Sequence, residues 1–476
     1  MTVTLMQLAM MVATIGIIIG AGIWSAGRIK SSESFSLNGR KASAGMVAGA
    51  IAGSCIGGGA TIGTSQMAFT FGISAWWFTI GIGTGFLLMG LFFARRFRES
   101  GRETITQLLI DTYGSGSGPV ASLISSCGIF FAAVASVLPA IHIISQLLST
   151  TVYTASAILF FLIIVYIYFG GIKGASVSGL LKSVILWLML FAICITAGRG
   201  LLKVDSIENI IPHGLDLFAQ GIWMPLENVI SMSAGLLCAQ NYAQAIFSAK
   251  DVKAARTGCF AAAALSLPVG IPCIMASMYM KANHPEVSPI MALPEFALHH
   301  LPEPLSGVTL GVLIIALISS IAGLTLGIST LLTRDIWTRL FRLSGNSEIL
   351  RANRLSVIMI SVLTITFSLC HLESQVLTWN LLALALRAGV FIPLVLALYR
   401  IKLLPPLWAV PTMLTGTLAA GIAKPVLHTG IPPLFLGFAV ALLMIAMANL
   451  AGQHFNYRVL RLMAETKRKL PFMHHA

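Results

Sequence analysis

Hydrophobic positions run along this chain in thirteen stretches, at about residues 3–26, 42–68, 73–94, 116–149, 151–170, 177–198, 222–246, 257–280, 306–333, 354–371, 376–399, 403–422 and 431–452. About 20 apolar residues in a helix cross the ~30 Å of hydrocarbon in a bilayer, so each stretch predicts one spanning helix. Strands of a membrane barrel alternate polar and apolar over about ten residues, a pattern these stretches do not follow. Polar positions collect in the connections. The connections 199–221 and 281–305 are the longest and carry Asp205, Glu208, Asp216, Glu286, Glu295 and Glu303. The run Ile290–Leu298 predicts an amphipathic segment on the membrane surface, and Glu103–Tyr113 predicts a second short amphipathic helix. No basic region precedes the first stretch, and Arg28 and Lys30 follow it. That pattern predicts an anchor with its N-terminus outside, not a cleaved signal.

Composition agrees with the pattern. Hydrophobic residues make up 57 % of the 476 and charged residues 10 %, against about 25 % charged in a soluble domain. A soluble enzyme and a disordered protein are thereby excluded. The net charge of +14 would suggest nucleic acid in a soluble protein, but its placement gives another reason. With the N-terminus outside, 25 of the 30 Lys and Arg fall in inner connections, their flanks or the C-terminal tail, Lys173 and Lys182 among them. Arg199, Lys203, Lys281 and Lys424 fall outside, and Arg387 lies within a stretch. Cytoplasmic loops of membrane proteins carry such an excess. An integral protein of the cell membrane, most simply a bacterial inner membrane, with its C-terminus in the cytoplasm is therefore expected, and no nucleic-acid partner is expected. The seven cysteines lie in apolar stretches without a CxxC or a Cys/His cluster, as buried small hydrophobes do.

Three places carry candidate chemistry. The second stretch has glycines at 49, 53, 57, 58, 59 and 63. Consecutive glycines weaken a helix by about 1 kcal/mol each relative to alanine. A break in mid-membrane frees carbonyls that ligate a hard cation such as Na⁺, and turns a half-helix N-terminus toward an anion. Close helix packing through small residues explains the same glycines equally well. In the ninth stretch Ala316, Ser319 and Ser320 share one helical face, offering two hydroxyls and a carbonyl. Serines that bond their own backbone or a neighbouring helix are the alternative there. Arg387, mid-stretch, costs about 2.5–3.5 kcal/mol if left without a partner in lipid. It either receives a substrate carboxylate or belongs to a structural ion pair. Glu227 and His142 lie near stretch ends, and His142 reads as a satisfied polar residue. No zinc pattern, phosphate loop, nucleophile elbow or carboxylate pair falls in a span, so an enzyme is not expected.

Several short motifs resemble the sodium:solute symporter family. They are Phe35-Ser-Leu-Asn-Gly-Arg40, the glycine-rich second stretch, Ala68-Phe-Thr-Phe-Gly-Ile-Ser-Ala-Trp76 and Gly170-Gly-Ile-Lys-Gly174. Gln240 with Gln244 and Ala249-Lys250, Thr333-Arg-Asp-Ile-Trp337, and Pro393 continue the series, so the resemblance runs from about 35 to 450. It implies an all-α transporter of two inverted five-helix repeats, the first with a discontinuous helix. The repeats would occupy 42–200 and 201–399. Residues 1–41, the helices in 400–452 and the basic tail 453–476 would be peripheral. The resemblance also implies a Na⁺ site made by the carbonyls of Gly53 and Ile56, the carbonyl of Ala316 and the hydroxyls of Ser319 and Ser320. Family members with an additional sodium site resemble one another in an Asp early in the sixth stretch, where this chain has Val177-Ser-Gly-Leu180. Sugar-carrying members resemble one another in a Gln and a Tyr at the places of Ala60 and Gly235. A second sodium and a sugar are therefore not expected.

The expected function is secondary transport: symport of Na⁺ with a small solute, an organic acid or amino acid, by a monomer or loose homo-oligomer. Solute is expected at Gly57, Gly58, Gly59, Ala60 and Thr61, at Ser231 and Gly235 on one face of the seventh stretch, and at Arg387. Coupling to H⁺ in the same fold is the alternative. A lysine or carboxylate near the sodium position would favour it, and none is expected close to it. A solute sensor is a third reading, without a signalling domain to support it.

Overall fold

In this computed structural model the described residues are 3–27, 31–168, 171–203, 210–422 and 432–469, with side chains through 451. Arg28, Lys30, Asp205, Glu208, Lys424 and the basic side chains of the tail lie outside them. The first half of the chain forms α1 (Leu5–Ala26), α2 (Ser32–Leu37), α3 (Ala44–Cys55), α4 (Thr64–Phe71), α5 (Trp76–Leu88), α6 (Ala94–Glu99), α7 (Ile105–Tyr113), α8 (Ser117–Leu147), α9 (Val152–Tyr168) and α10 (Gly171–Leu201). The second half forms α11 (Trp223–Leu237), α12 (Gln240–Phe247), α13 (Val252–Ser266), α14 (Gly270–Asn283), α15 (Ala292–His300), α16 (Glu303–Leu331), α17 (Asn346–Leu369), α18 (Val376–Ala385), α19 (Ala388–Leu398), α20 (Pro406–Ile422) and α21 (Pro433–Lys469). The described residues form no strand, only an isolated bridge between Ala42 and Ala249.

Among the described residues each apolar stretch is mainly helical, though not each forms a separate long span. Eight helical segments are long and apolar enough to cross a membrane, nine when α18 and α19 are taken as one span bent by 45°. Residues 44–55, 152–167 and 406–422 form shorter apolar helices. Helix starts follow local chemistry. Thr104 caps α7 by accepting from Gln107 N at 3.3 Å, and Asp251 caps α13 by accepting from Ala254 N at 2.6 Å. Each satisfies an amide that a helix start leaves without a partner.

Helix α16 lies at the centre, buried along nearly its whole length and packed on α1, α3, α8, α10 and α17. The two halves interlock: α11 packs on α5, α13 on α3, and α8 on α16. Both leading helices are broken. The first breaks between α3 and α4, as the glycines predict. The second breaks at Cys238 and Ala239, between α11 and α12, without a glycine or proline. The surface location expected for Ile290–Leu298 is corrected. Most of this run is buried against α4, α14 and α16 because apolar side chains are spread around it rather than on one face.

Candidate functional site

The glycines of the second stretch do two jobs. Gly49 and Gly53 let α10 lie directly on α3: a Cβ at Gly49 would sit 2.3 Å from Ser176 O, and one at Gly53 2.9 Å from Gly179 Cα. Further along, the helix gives way. Ile56 leaves helical geometry at φ −78°, ψ 80°, and Gly57 N turns to Cys55 O at 2.9 Å in place of Gly53 O. A π-turn over Gly59–Gly63 then leads into α4. The carbonyls of Gly53, Ser54 and Ile56 are left to find other donors. Helix α16 supplies two: Ser319 Oγ donates toward Gly53 O at 2.9 Å, and Ser320 Oγ to Ser54 O at 2.7 Å.

The third donor comes from α10. Lys182 Nζ donates to Gly53 O and Ile56 O, each at 2.9 Å, and to Ser319 Oγ at 3.0 Å. The side chain is 0 % exposed. It starts one helical turn beyond Gly179, whose contact with Gly49 brings α10 close enough for the reach. An ammonium has three N–H groups, and here each has an oxygen. These oxygens belong to three of the five residues assigned to Na⁺ by resemblance. Of the other two, Ala316 O lies 3.1 Å from the Ser319 hydroxyl, and Ser320 is turned to Ser54. The expectation that no lysine stands near the sodium position is corrected, as is the placement of Lys182 on an inner flank. A sodium ion does not fit this junction with Lys182 in place. Its oxygens are engaged, and two unit charges ~4 Å apart repel by about 4 kcal/mol even at an effective dielectric of ~20.

Beside the junction is a small cavity of about 40 Å³. Its polar lining is Ser54, Ser136, Ser320, Tyr242, Asn380 and Arg387; Phe78, Met232 and Leu324 belong to its apolar wall. Of the solute positions expected on the broken helix, Gly59 and Ala60 line it. Gly57 instead abuts Ser320, Gly58 abuts Ala135 and Ser136, and the Thr61 hydroxyl bonds its own helix at Gly57 O, 2.9 Å away. Ser231 is buried away from the cavity. Gly235 lies under Leu384 and reaches the site only through its carbonyl, which accepts from Arg387 Nη1 at 2.9 Å. Arg387 stands at the bend between α18 and α19 and is 3 % exposed. Its Nε has no hydrogen-bond partner, and it pairs with no carboxylate among the described residues. Tyr242 stands beside a helix break that the sequence does not mark, and Asn380 is a neutral amide within an apolar stretch, so neither is legible as a cavity residue in the sequence. His142 is tied to Leu372 O at 2.9 Å, as a satisfied polar residue.

A broken helix crossing a buried serine helix invites comparison with known transporters. The family model of the sodium:solute symporters matches residues 35–404. The chain belongs to the sodium:solute symporter family. Its structure is similar to that of a Na⁺-coupled sialic acid symporter in a substrate-bound outward-open state, with a TM-score of 0.78 at 16 % identity over 94 % of this chain and 96 % of that one. It is also similar to a transporter of the nucleobase–cation symport family in a closed conformation with bromovinylhydantoin bound. There the TM-score is 0.60 at 14 % identity over 90 % and 96 % of the two chains. These likenesses establish the fold as that of a membrane transporter.

In this symporter-family chain the motif residues Ser36, Gln240, Gln244, Arg334 and Asp335 gather at one face, the one bearing Arg96, Arg102 and Arg400. Asp335, buried, accepts from Ser122 Oγ at 2.6 Å, from Thr104 Oγ1 at 3.4 Å and from Thr106 Oγ1. Gln240 binds Ile105 N and Glu103 O, each at 2.9 Å, and Gln244 Nε2 donates to Ser36 O at 2.7 Å. Arg334 Nε lies 2.6 Å from Glu103 Oε2. Burial pushes the Glu103 carboxyl above the ordinary carboxylate range, against the pull of Arg334. Together these bonds tie α7 and α12 to α8 and to the end of α16. At the opposite face a vestibule of about 260 Å³ opens between Gln66, Gln220, Asn228 and Gln375. Phe78 lines both the vestibule and the central cavity.

Proposed function

We propose that this protein is a secondary transporter that symports a small organic acid with a cation across the cytoplasmic membrane, the basic face turned inward. The observation that carries the reading is Arg387, a buried guanidinium without a carboxylate partner on the wall of the central cavity. A charge left so is costly in lipid unless the ligand completes it. A carboxylate entering the cavity gains a charge-assisted bond to the guanidinium, while Asn380, Tyr242 and the serine hydroxyls serve the rest of a small polar solute. The lining holds no Asp or Glu, which favours a plain acid over an amino acid. At about 40 Å³ the cavity holds a few waters, so loading requires it to widen. In this reading solute enters through the vestibule, passes Phe78 and reaches Arg387. Release follows when the hydrogen bonds of the basic face part. In the same reading the two repeats span 42–200 and 201–399, and one helical group rocks against the other.

Uptake into proteoliposomes tests this. Arg387→Gln should lower uptake of an accepted acid about 10- to 100-fold, the worth of a charged hydrogen bond of ~1.5–3 kcal/mol. Gly128→Ala should act in the same direction, because its Cβ would lie 2.7 Å from Arg387 Nε. Unchanged acid uptake in Arg387→Gln, or equal competition by the neutral amide of the same acid, would remove the reading. Family membership and the fold shared with a Na⁺-coupled symporter support Na⁺ as the coupling ion. The ammonium at the helix junction favours the second reading, H⁺. Uptake driven by an imposed Na⁺ gradient at equal pH, against uptake driven by a pH gradient at equal Na⁺, decides between them.

A further inference from the structure

We propose that Lys182 is a built-in cation that takes the place of sodium at the α3–α16 junction, so that the broken helix is held to α16 without a bound ion. Three observations converge on it. Breaking α3 at Ile56 leaves Gly53 O and Ile56 O without helical donors, and carbonyls only accept. The Ser319 hydroxyl has one proton, and carbonyls stand near it at 2.9 Å (Gly53) and 3.1 Å (Ala316), which leaves its lone pairs toward α10. Lys182 Nζ stands at the point these three oxygens share, at 2.9, 2.9 and 3.0 Å. A free ion is drawn to such a point by its own charge and leaves by diffusion. A lysine is attached to α10 and always at hand, so occupancy does not depend on the sodium concentration.

The arrangement is also built from outside the junction. The Gly49–Gly179 contact sets α10 against α3 at the distance the lysine stem spans, and Ser178 Oγ, four residues before Lys182, holds Tyr166 Oη at 2.6 Å on the neighbouring α9. The lysine thus adds one shared tie among three elements already in contact: the broken helix, the central helix and α10. The inference concerns the junction and holds whichever solute is carried.

The test is thermal unfolding of the detergent-purified full chain without solute, in Na⁺ and in K⁺ at equal ionic strength. The wild-type midpoint is expected to agree within about one degree in the two salts. Lys182→Ala leaves the oxygens and adds room for an ion; it should melt several degrees lower in K⁺ and recover a saturable part of the loss in Na⁺. Lys182→Met keeps the stem, removes the donors and fills the space; it should melt lower in both salts. A saturable, Na⁺-specific rise of several degrees in the wild-type protein would overturn the proposal. So would a folded Lys182→Ala that responds equally to both ions, or a Lys182→Met as stable as wild type. The wild-type comparison decides alone where neither variant folds. Because no solute is present, failure here is distinct from failure of the Arg387 reading.

Discussion

Replacing Gly179 by alanine is expected to separate α10 from α3 and to unseat Lys182. A Cβ at this position would lie 2.2 Å from Gly49 O and 3.0 Å from Gly49 C. Both atoms are backbone, so no side-chain rotation relieves the overlap, and the helices must part by about an ångström. Overpacking of this kind costs about 1–3 kcal/mol where side chains absorb it and more where they do not. Here the displacement falls one turn from Lys182, whose three hydrogen bonds then lose their geometry. A buried charge deprived of partners adds about 3 kcal/mol or more. The expected result is a sharp fall in monodisperse yield and a melting temperature lowered by several degrees. Gly20→Ala on α1 is the matched control. Nothing lies within 4 Å of its added Cβ, and alanine favours the helix by about 0.5–1 kcal/mol. Equal stability of Gly179→Ala and wild type would show that the α3–α10 contact is looser than its glycines indicate.

That contact also explains what the sequence disclosed and what it withheld. Hydrophobic length is a local property, so the long apolar helices are legible from it, while the buried helix Ala292–His300 is not. The break at Ile56 was legible for the same reason, since Gly57-Gly58-Gly59 weakens a helix wherever it stands. Ser319 and Ser320 were legible as one face of a regular helix. Lys182 was not. A lysine near a span end commonly snorkels to the interface, and hydropathy does not tell that from a lysine turned inward. Its direction depends on how α10 is rotated against α3, which Gly49 and Gly179 fix across 130 residues of chain. The one available signal was the spacing of a lysine one turn from a glycine within a small-residue run. The break between α11 and α12 left no mark at all, because Cys238 and Ala239 carry no local preference for it. Without a mark for that break, the sequence does not put Tyr242 on the cavity wall, and Gly235 reads as a lining residue. Asn380 and Arg387 differ from one another in the same way: a charge in a span attracts notice, a neutral amide does not.

Asp335→Asn should loosen the basic face. The carboxylate of Asp335 is buried and gathers the hydroxyls of Ser122, Thr104 and Thr106 from two other elements, α8 and the start of α7. Hydrogen bonds to a charged group are worth about 1.5–3 kcal/mol, and an amide with one oxygen replaces at most part of them. Losing one such bond shifts the ratio of closed to open molecules by about 10- to 100-fold. Cys238 reports the shift. It is fully buried at the α11–α12 break, two residues before Gln240, which binds Glu103 and Ile105 in the same network. Maleimide labelling of Cys238, resolved by peptide mass spectrometry, should rise at least tenfold in Asp335→Asn, and with the basic face inward, as proposed, net uptake should fall as the transporter dwells open on that side. Asp111→Asn supplies the contrast at the same face. Asp111 pairs with Arg102 at 2.8 Å, but both are more than two-fifths exposed. Exposed pairs contribute about 0–1 kcal/mol, so labelling of Cys238 should change less than about fivefold. If both variants labelled alike, the closure of this face would rest on helix packing rather than on the Asp335 network, and the motif Thr333-Arg-Asp-Ile-Trp337 would need another role.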